Sequence, residues 1–90
     1  MSQQLIQKQI VASDILRTCG KKFKQIRGRY TDDENGRCVF GVLMDYHNWS
    51  LGKVCNRFGI DRDLYTRMID MNDEGKTFDE IADYLESHGF

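Results

Sequence analysis

Cys38, His47 and Cys55 are the candidate set for bond making or metal binding, if the fold brings them together. Two thiols and an imidazole can ligate zinc, which takes Cys and His in tetrahedral sets of four. These spacings match no recurrent zinc motif, and no fourth ligand stands out. Buried small hydrophobes, with His47 at a helix end, are the expected alternative. A Cys nucleophile needs a base beside it and a third group to orient that base. The sequence supplies the residue types and no such set, so no catalytic residue, metal or cofactor is expected, and an enzyme is not the favoured reading.

The second candidate chemistry is electrostatic. Net charge is only −1, yet the charges are segregated. Arg17, Lys21, Lys22, Lys24, Arg27 and Arg29 fall in one stretch that contains no acid, while Asp70, Asp73, Glu74, Asp79, Glu80, Asp83 and Glu86 face Lys76 alone. With Phe23 and Tyr30 interleaved, the stretch can contact nucleic acid, its cations meeting phosphates and its rings stacking on bases. It can equally be a solvated face whose aromatics enter the core, or it can pair with the acidic C-terminal helix, within the chain or between chains. The candidate nucleic-acid or partner contacts are therefore Arg17, Lys21, Lys22, Phe23, Lys24, Arg27, Arg29 and Tyr30.

A third candidate is a helix-turn-helix over residues 50–72, with two short helices meeting at Gly59 and the second entering the major groove. Asp61, Asp63 and Asp70 outnumber Arg62 and Arg67 on that second helix. Carboxylates are repelled by phosphates, so an αα-corner that packs a core competes with the DNA reading. The set Trp49, Phe58, Met68, Met71 and Phe78 is expected in the core. Exposed instead, such a patch would mark a partner surface.

These residues have to be positioned by helices. The chain has no Pro, which removes the strongest helix breaker. Residues 3–19 read as helix, with Leu5, Ala12, Ile15, Leu16 and Cys19 near helical spacing and Ile6 and Ile10 widening the stripe. Ser13 is a candidate cap for a second half, and Gly20 a left-handed stop. Residues 21–37 lack a helical period, and Asn35-Gly36 is a turn signal because both residues tolerate positive φ. A small β-hairpin between 24–31 and 37–40, or an ordered loop, follows from it. Residues 38–47 are apolar nearly all round and suit a buried helix or a buried strand. Helix is preferred, since too few strands exist to make a sheet. Gly41 then costs about 1 kcal/mol relative to Ala, a cost that close approach of another helix would explain.

The remaining helices carry explicit signals. Ser50 caps a helix to Phe58, with Leu51, Val54, Cys55 and Phe58 on one face and Trp49 placed to staple onto Val54. Asp61 caps the next, striped by Leu64, Met68 and Met71, with Ile60 placed to staple onto Tyr65 and a turn at Asn72–Gly75. Thr77-Phe-Asp-Glu80 is a capping box. Phe78, Ile81, Ala82 and Leu85 share a face, and Gly89 with Phe90 makes a Schellman ending. The expected core is Ile15, Leu16, Phe40, Leu43, Val54, Phe58, Leu64, Met68, Phe78, Ile81 and Leu85.

Two stretches, Arg29-Tyr-Thr-Asp-Asp-Glu-Asn-Gly-Arg-Cys-Val-Phe-Gly-Val-Leu43 and Met71-Asn-Asp-Glu-Gly-Lys-Thr-Phe-Asp-Glu-Ile-Ala-Asp-Tyr-Leu85, resemble a family of small bacterial and phage proteins of unassigned role. That family has a D-x-x-G-R loop leading into a C-A-x-G-A-L helix, then N-D before G-x-T-x-x-E-[IV]. Here Val39 and Val42 stand where the family has Ala. The resemblance implies the same helical arrangement and transfers no function.

The sequence thus predicts one all-α domain over residues 1–90, a bundle of four or five short helices. Its absence of a leader-like or membrane-spanning apolar run and its odd, scattered cysteines point to a reduced, cytoplasmic protein. The expected function is a non-enzymatic protein-interaction or regulatory module that binds a protein partner or itself. The alternative is nucleic-acid binding through 17–29 and the helix pair 50–72.

Overall fold

The computed structural model describes residues 10–90. Five α-helices follow in order: α1 Ala12–Cys19, α2 Val39–His47, α3 Leu51–Phe58, α4 Arg62–Asp73 and α5 Phe78–Ser87. A 3₁₀ turn, Gly20–Lys22, continues α1, and two short strands, β1 Lys24–Gln25 and β2 Gly36–Arg37, lie before α2. The domain is therefore a mostly α bundle with one small β element. The portion of the expected first helix before residue 10 lies outside the described residues.

α2 is the central element. Val39, Phe40, Gly41, Val42 and Leu43 are all buried in it, as an all-round apolar segment requires. α1, α3 and α4 each pack on it, and α1 also lies along α5. α3 and α4 pack on α2 more than on one another, so residues 50–72 form a corner around a shared core. Ile15, Leu16, Phe40, Leu43, Val54, Met68, Phe78, Ile81 and Leu85 are buried as expected. Phe58 and Leu64 are only half-buried, and Ala12, Cys38, Val39, Val42, Ile60, Met71 and Ala82 join the core.

Helix ends follow the local signals closely. The Ser50 and Asp61 side chains accept from Lys53 N–H and Leu64 N–H, and Thr77 and Glu80 form the full capping box. A cap of this kind is worth about 1 kcal/mol. Phe90 N–H donates to the Leu85 carbonyl at 2.8 Å and Gly89 N–H to the Glu86 carbonyl at 3.1 Å, which is the Schellman pair. α2, α3 and α4 close with the same long bond, from Trp49 to Met44, Ile60 to Cys55 and Lys76 to Met71.

Several local expectations are corrected. Gly20 is right-handed (φ −59°), and the chain runs on into the 3₁₀ turn. Glycine is needed there for space, since a Cβ would come within 2.8 Å of the Phe78 ring. Ser13 does not cap. It lies inside α1, and its N–H and hydroxyl both donate to the Phe90 carbonyl at 3.2 Å. The hairpin is replaced by a parallel pair, Lys24 opposite Gly36 and Gln25 opposite Arg37, with one antiparallel bridge from Thr31 to Arg37. Of the turn residues Asn35 has positive φ (67°) and Gly36 does not. Gly36 instead fits against the Asp32 carboxylate, which accepts from Gly36 N–H and Glu34 N–H. Gly41 does admit a close neighbour, but it is the Tyr30 carbonyl of this loop and not a helix.

One buried polar residue joins these parts. Asn72, 2% exposed, ends the buried face of α4, which runs two residues into its expected turn. Its Oδ1 accepts from Val39 N–H at 3.1 Å, filling an otherwise orphaned donor in the first turn of α2. The same oxygen accepts from Gln25 Nε2 at 2.9 Å, and Asn72 Nδ2 donates to the Ile26 carbonyl at 2.8 Å. The two stretches of the family resemblance therefore meet at this side chain.

Candidate functional site

A hollow of about 580 Å³ opens where the two ends of the described chain meet the α2–α3 corner. Asn48 takes a left-handed conformation (φ 57°) at the end of α2, and Trp49 N–H returns to the Met44 carbonyl at 2.9 Å. The last turn of α2 supplies Tyr46 and His47, and the reversal at Asn48 brings Trp49 beside them. The His47 ring lies 4.4 Å from that of Tyr46 and 4.6 Å from that of Trp49 between centroids, and Trp49 lies 6.1 Å from Phe58. α3 adds Phe58 and Arg57, and Ile10–Ala12 and Gly89–Phe90 supply the opposite wall. Phe90 is held there by the Schellman ending and by Ser13.

Among the side chains that line this groove, the guanidinium of Arg57 is the fixed charge. The Lys53 ammonium stands 5.3 Å from the centre of the Trp49 ring. None of the lining side chains is a carboxylate. Ile10 is 47% exposed at the lip, the exposed large hydrophobe among the described residues. Trp49 and Phe58 are only half-buried, while Met68, Met71 and Phe78 are buried. The aromatic and methionine set thus divides, one part forming core and the other forming the walls of the hollow. All five share the same apolar pattern in the sequence. The signal that separates them is the Tyr46-His47-x-Trp49 cluster beside the exposed α3 cations, which interrupts an otherwise apolar core pattern.

A second hollow, about 340 Å³, is lined by Arg29, Tyr30, Cys38, Tyr65, Ile69 and Asp73 among others. Its two phenols satisfy each other at 2.8 Å, and that hydrogen bond, with some burial, pushes the Tyr65 pKa up to about 12. Burial pushes the Cys38 thiol up as well, opposed by the N–H groups of Gly41 and Phe40 at the start of α2. A thiol held protonated is a poor nucleophile. Burial also raises Cys55. Cys38, His47 and Cys55 do not converge: among the described residues no group of three or more His, Cys, Asp or Glu is placed to hold a metal.

The basic segment is split by the fold. Arg17 is taken by α5, its guanidinium 2.7 Å from Asp83 and 2.8 Å from Glu86. Lys21, Lys22, Lys24, Arg27 and Arg29 are exposed and in no ion pair among the described residues. The two aromatics are committed elsewhere. Phe23 lies under the Arg37 guanidinium at 4.7 Å, Tyr30 is bonded to Tyr65, and both pack against the core. Asp32 lies near Lys24 and Arg29, its carboxyl held below the usual range chiefly by the N–H groups of Glu34 and Gly36.

No family model, no curated protein and no solved structure matches this chain. Among the described residues no helix is long and apolar enough to cross a membrane.

Proposed function

We propose that the protein is a non-enzymatic interaction module that holds an apolar segment of a protein partner in the groove between Trp49, Phe58 and Phe90. The observation that carries this reading is the open aromatic wall: Tyr46, His47, Trp49 and Phe58 around a hollow of about 580 Å³, with Ile10 exposed at its lip. Aromatic anchors in a concave, partly desolvated site are the usual centre of a protein interface. The reading includes a reducing, cytoplasmic setting, supported by three free cysteines.

Trp49 is the single tryptophan of the chain, so its emission reports the groove directly. Peptides bearing Leu, Ile or Phe anchors are expected to shift that emission saturably, and Phe58→Ala to weaken the best of them about tenfold. Absence of a saturable shift for every peptide at roughly 1 mM, the weakest affinity worth considering, rejects the reading.

Nucleic-acid binding through Lys21, Lys22, Lys24, Arg27 and Arg29 is a second reading, favoured by the exposure of those five cations. It is the weaker one, because Phe23 and Tyr30 are engaged in packing and α4 turns Asp63 and Asp70 outward. A mobility-shift assay at low salt, where the electrostatic contribution is greatest, tests it, and no shift there removes it.

A further inference from the structure

We infer that the segment taken by this groove is acidic: an apolar anchor flanked by carboxylates. The inference rests on the docking reading above and adds the partner's chemistry. Lys53 and Arg57 are four residues apart on α3, so they share one helix face. Both are exposed, and neither is in an ion pair among the described residues. Lys53 sits over Trp49, and Arg57 lines the groove beside Phe58. The nearby Asp45 carboxylate is turned to Arg37, at 3.5 Å, and Asp83 and Glu86 are held by Arg17. The rim therefore keeps two cations one helical turn apart beside the rings of Trp49 and Phe58, which is the complement of an acidic amphipathic segment.

Two other occupants fit less well. The segment Met1–Gln9 of this chain offers Leu5 and Ile6 but carries Lys8 and no acid. A second copy has little to insert, because the exposed large hydrophobe among the described residues, Ile10, belongs to the groove itself.

The test uses the full chain and three synthetic peptides that share one Phe-Leu anchor and differ in flanks of Glu, Gln or Lys, with Trp49 emission as the readout. The Glu peptide is expected to bind at least about tenfold tighter than the Lys peptide, with the gap shrinking as salt rises. Changing both cations, Lys53→Gln with Arg57→Gln, should bring the Glu and Gln peptides to within about twofold of each other. Equal affinities, or the tightest binding from the Lys peptide, overturn the acidic preference and leave the docking reading standing. No saturable change with any peptide overturns the docking reading, and the inference falls with it. Trp49 emission that depends on protein concentration, together with a dimer in sedimentation, assigns the groove to a second copy and overturns the inference. A shift in peptide-free emission on Leu5→Ser with Ile6→Ser assigns it to the chain's own first residues, with the same consequence.

Discussion

Asn72 and the Trp49–Phe58 groove are the two least ordinary places in this fold, and they are opposites. Asn72 is a buried amide whose donor and acceptor atoms reach β1, the segment after it and the start of α2, at 2.8 to 3.1 Å. The groove is an open set of rings with one exposed isoleucine and two cations at its edge. A polar side chain whose oxygen and nitrogen both bond inside the protein, and which is itself buried, has little left to offer a ligand. Apolar surface left in water retains its burial free energy, about 25 cal/mol per Å², for a later contact. The contrast teaches that the chemically suggestive residues here build the molecule, and that the plain hydrophobic ones remain available for binding.

The comparison breaks first if the polar seam is not structural, and the strongest test lies beside it. Gly41→Ala puts a Cβ into the Tyr30 carbonyl, which also accepts from Cys38 N–H and cannot move without lifting the loop from α2. Backbone overlap of this kind should cost about 3 kcal/mol or more, a large part of the stability of a small domain. The midpoint of urea unfolding reads it, and an unchanged midpoint would mean that the loop is free to leave. Asn72→Ala is next. It strands Val39 N–H, the Ile26 carbonyl and the Gln25 amide, although Gln25 keeps the Lys76 carbonyl at 2.7 Å. One buried and one part-buried group left unpaired should cost roughly 1–3 kcal/mol. Amide exchange at Val39 should accelerate in step, and protection retained there would contradict the assigned role.

The division between legible and illegible parts follows sequence distance. The capping box at Thr77, the Ser50 and Asp61 caps and the Gly89–Phe90 ending involve neighbours a few residues apart, and local chemistry places them correctly. The buried run Val39–Leu43 could be read as apolar, and the scarcity of strands was enough to prefer a helix. Asn72 looked like a turn residue because its partners Ile26 and Val39 are 46 and 33 positions away, and no local pattern connects them. Gly20 and Gly41 stand out in the sequence, but the neighbours that require them, Phe78 and the Tyr30 carbonyl, come from distant or irregular segments. The parallel register of Lys24 with Gly36 was hidden for the same reason, since two-residue strands carry no period. Among the ion pairs of the described residues, Arg17 is the cation of the basic segment that joins the acidic helix, a distinction that composition cannot draw. The groove was the least legible feature, because its walls come from residues 10–12, 46–58 and 89–90 and exist only once the fold closes.

The smallest expected effect on stability gives the sharpest form of the comparison. Ile10 is 47% exposed, precedes α1 and lines the groove. Ile10→Ser removes apolar surface that is largely in water already, so unfolding free energy should stay within about 0.5 kcal/mol of the parent. If the groove holds an apolar anchor, the same change removes part of the surface that the anchor would cover. At about 25 cal/mol per Å², loss of some 50 Å² of contact weakens binding by roughly 1 kcal/mol, five- to tenfold. Peptide titration on Trp49 emission and urea unfolding of the same variant separate the two quantities. A variant that loses stability and keeps its affinity would place Ile10 with the core, and the groove would then be a gap in the packing with no role in binding. A variant that keeps stability and loses affinity is the outcome that an open apolar site requires and that the closed seam at Asn72 cannot produce.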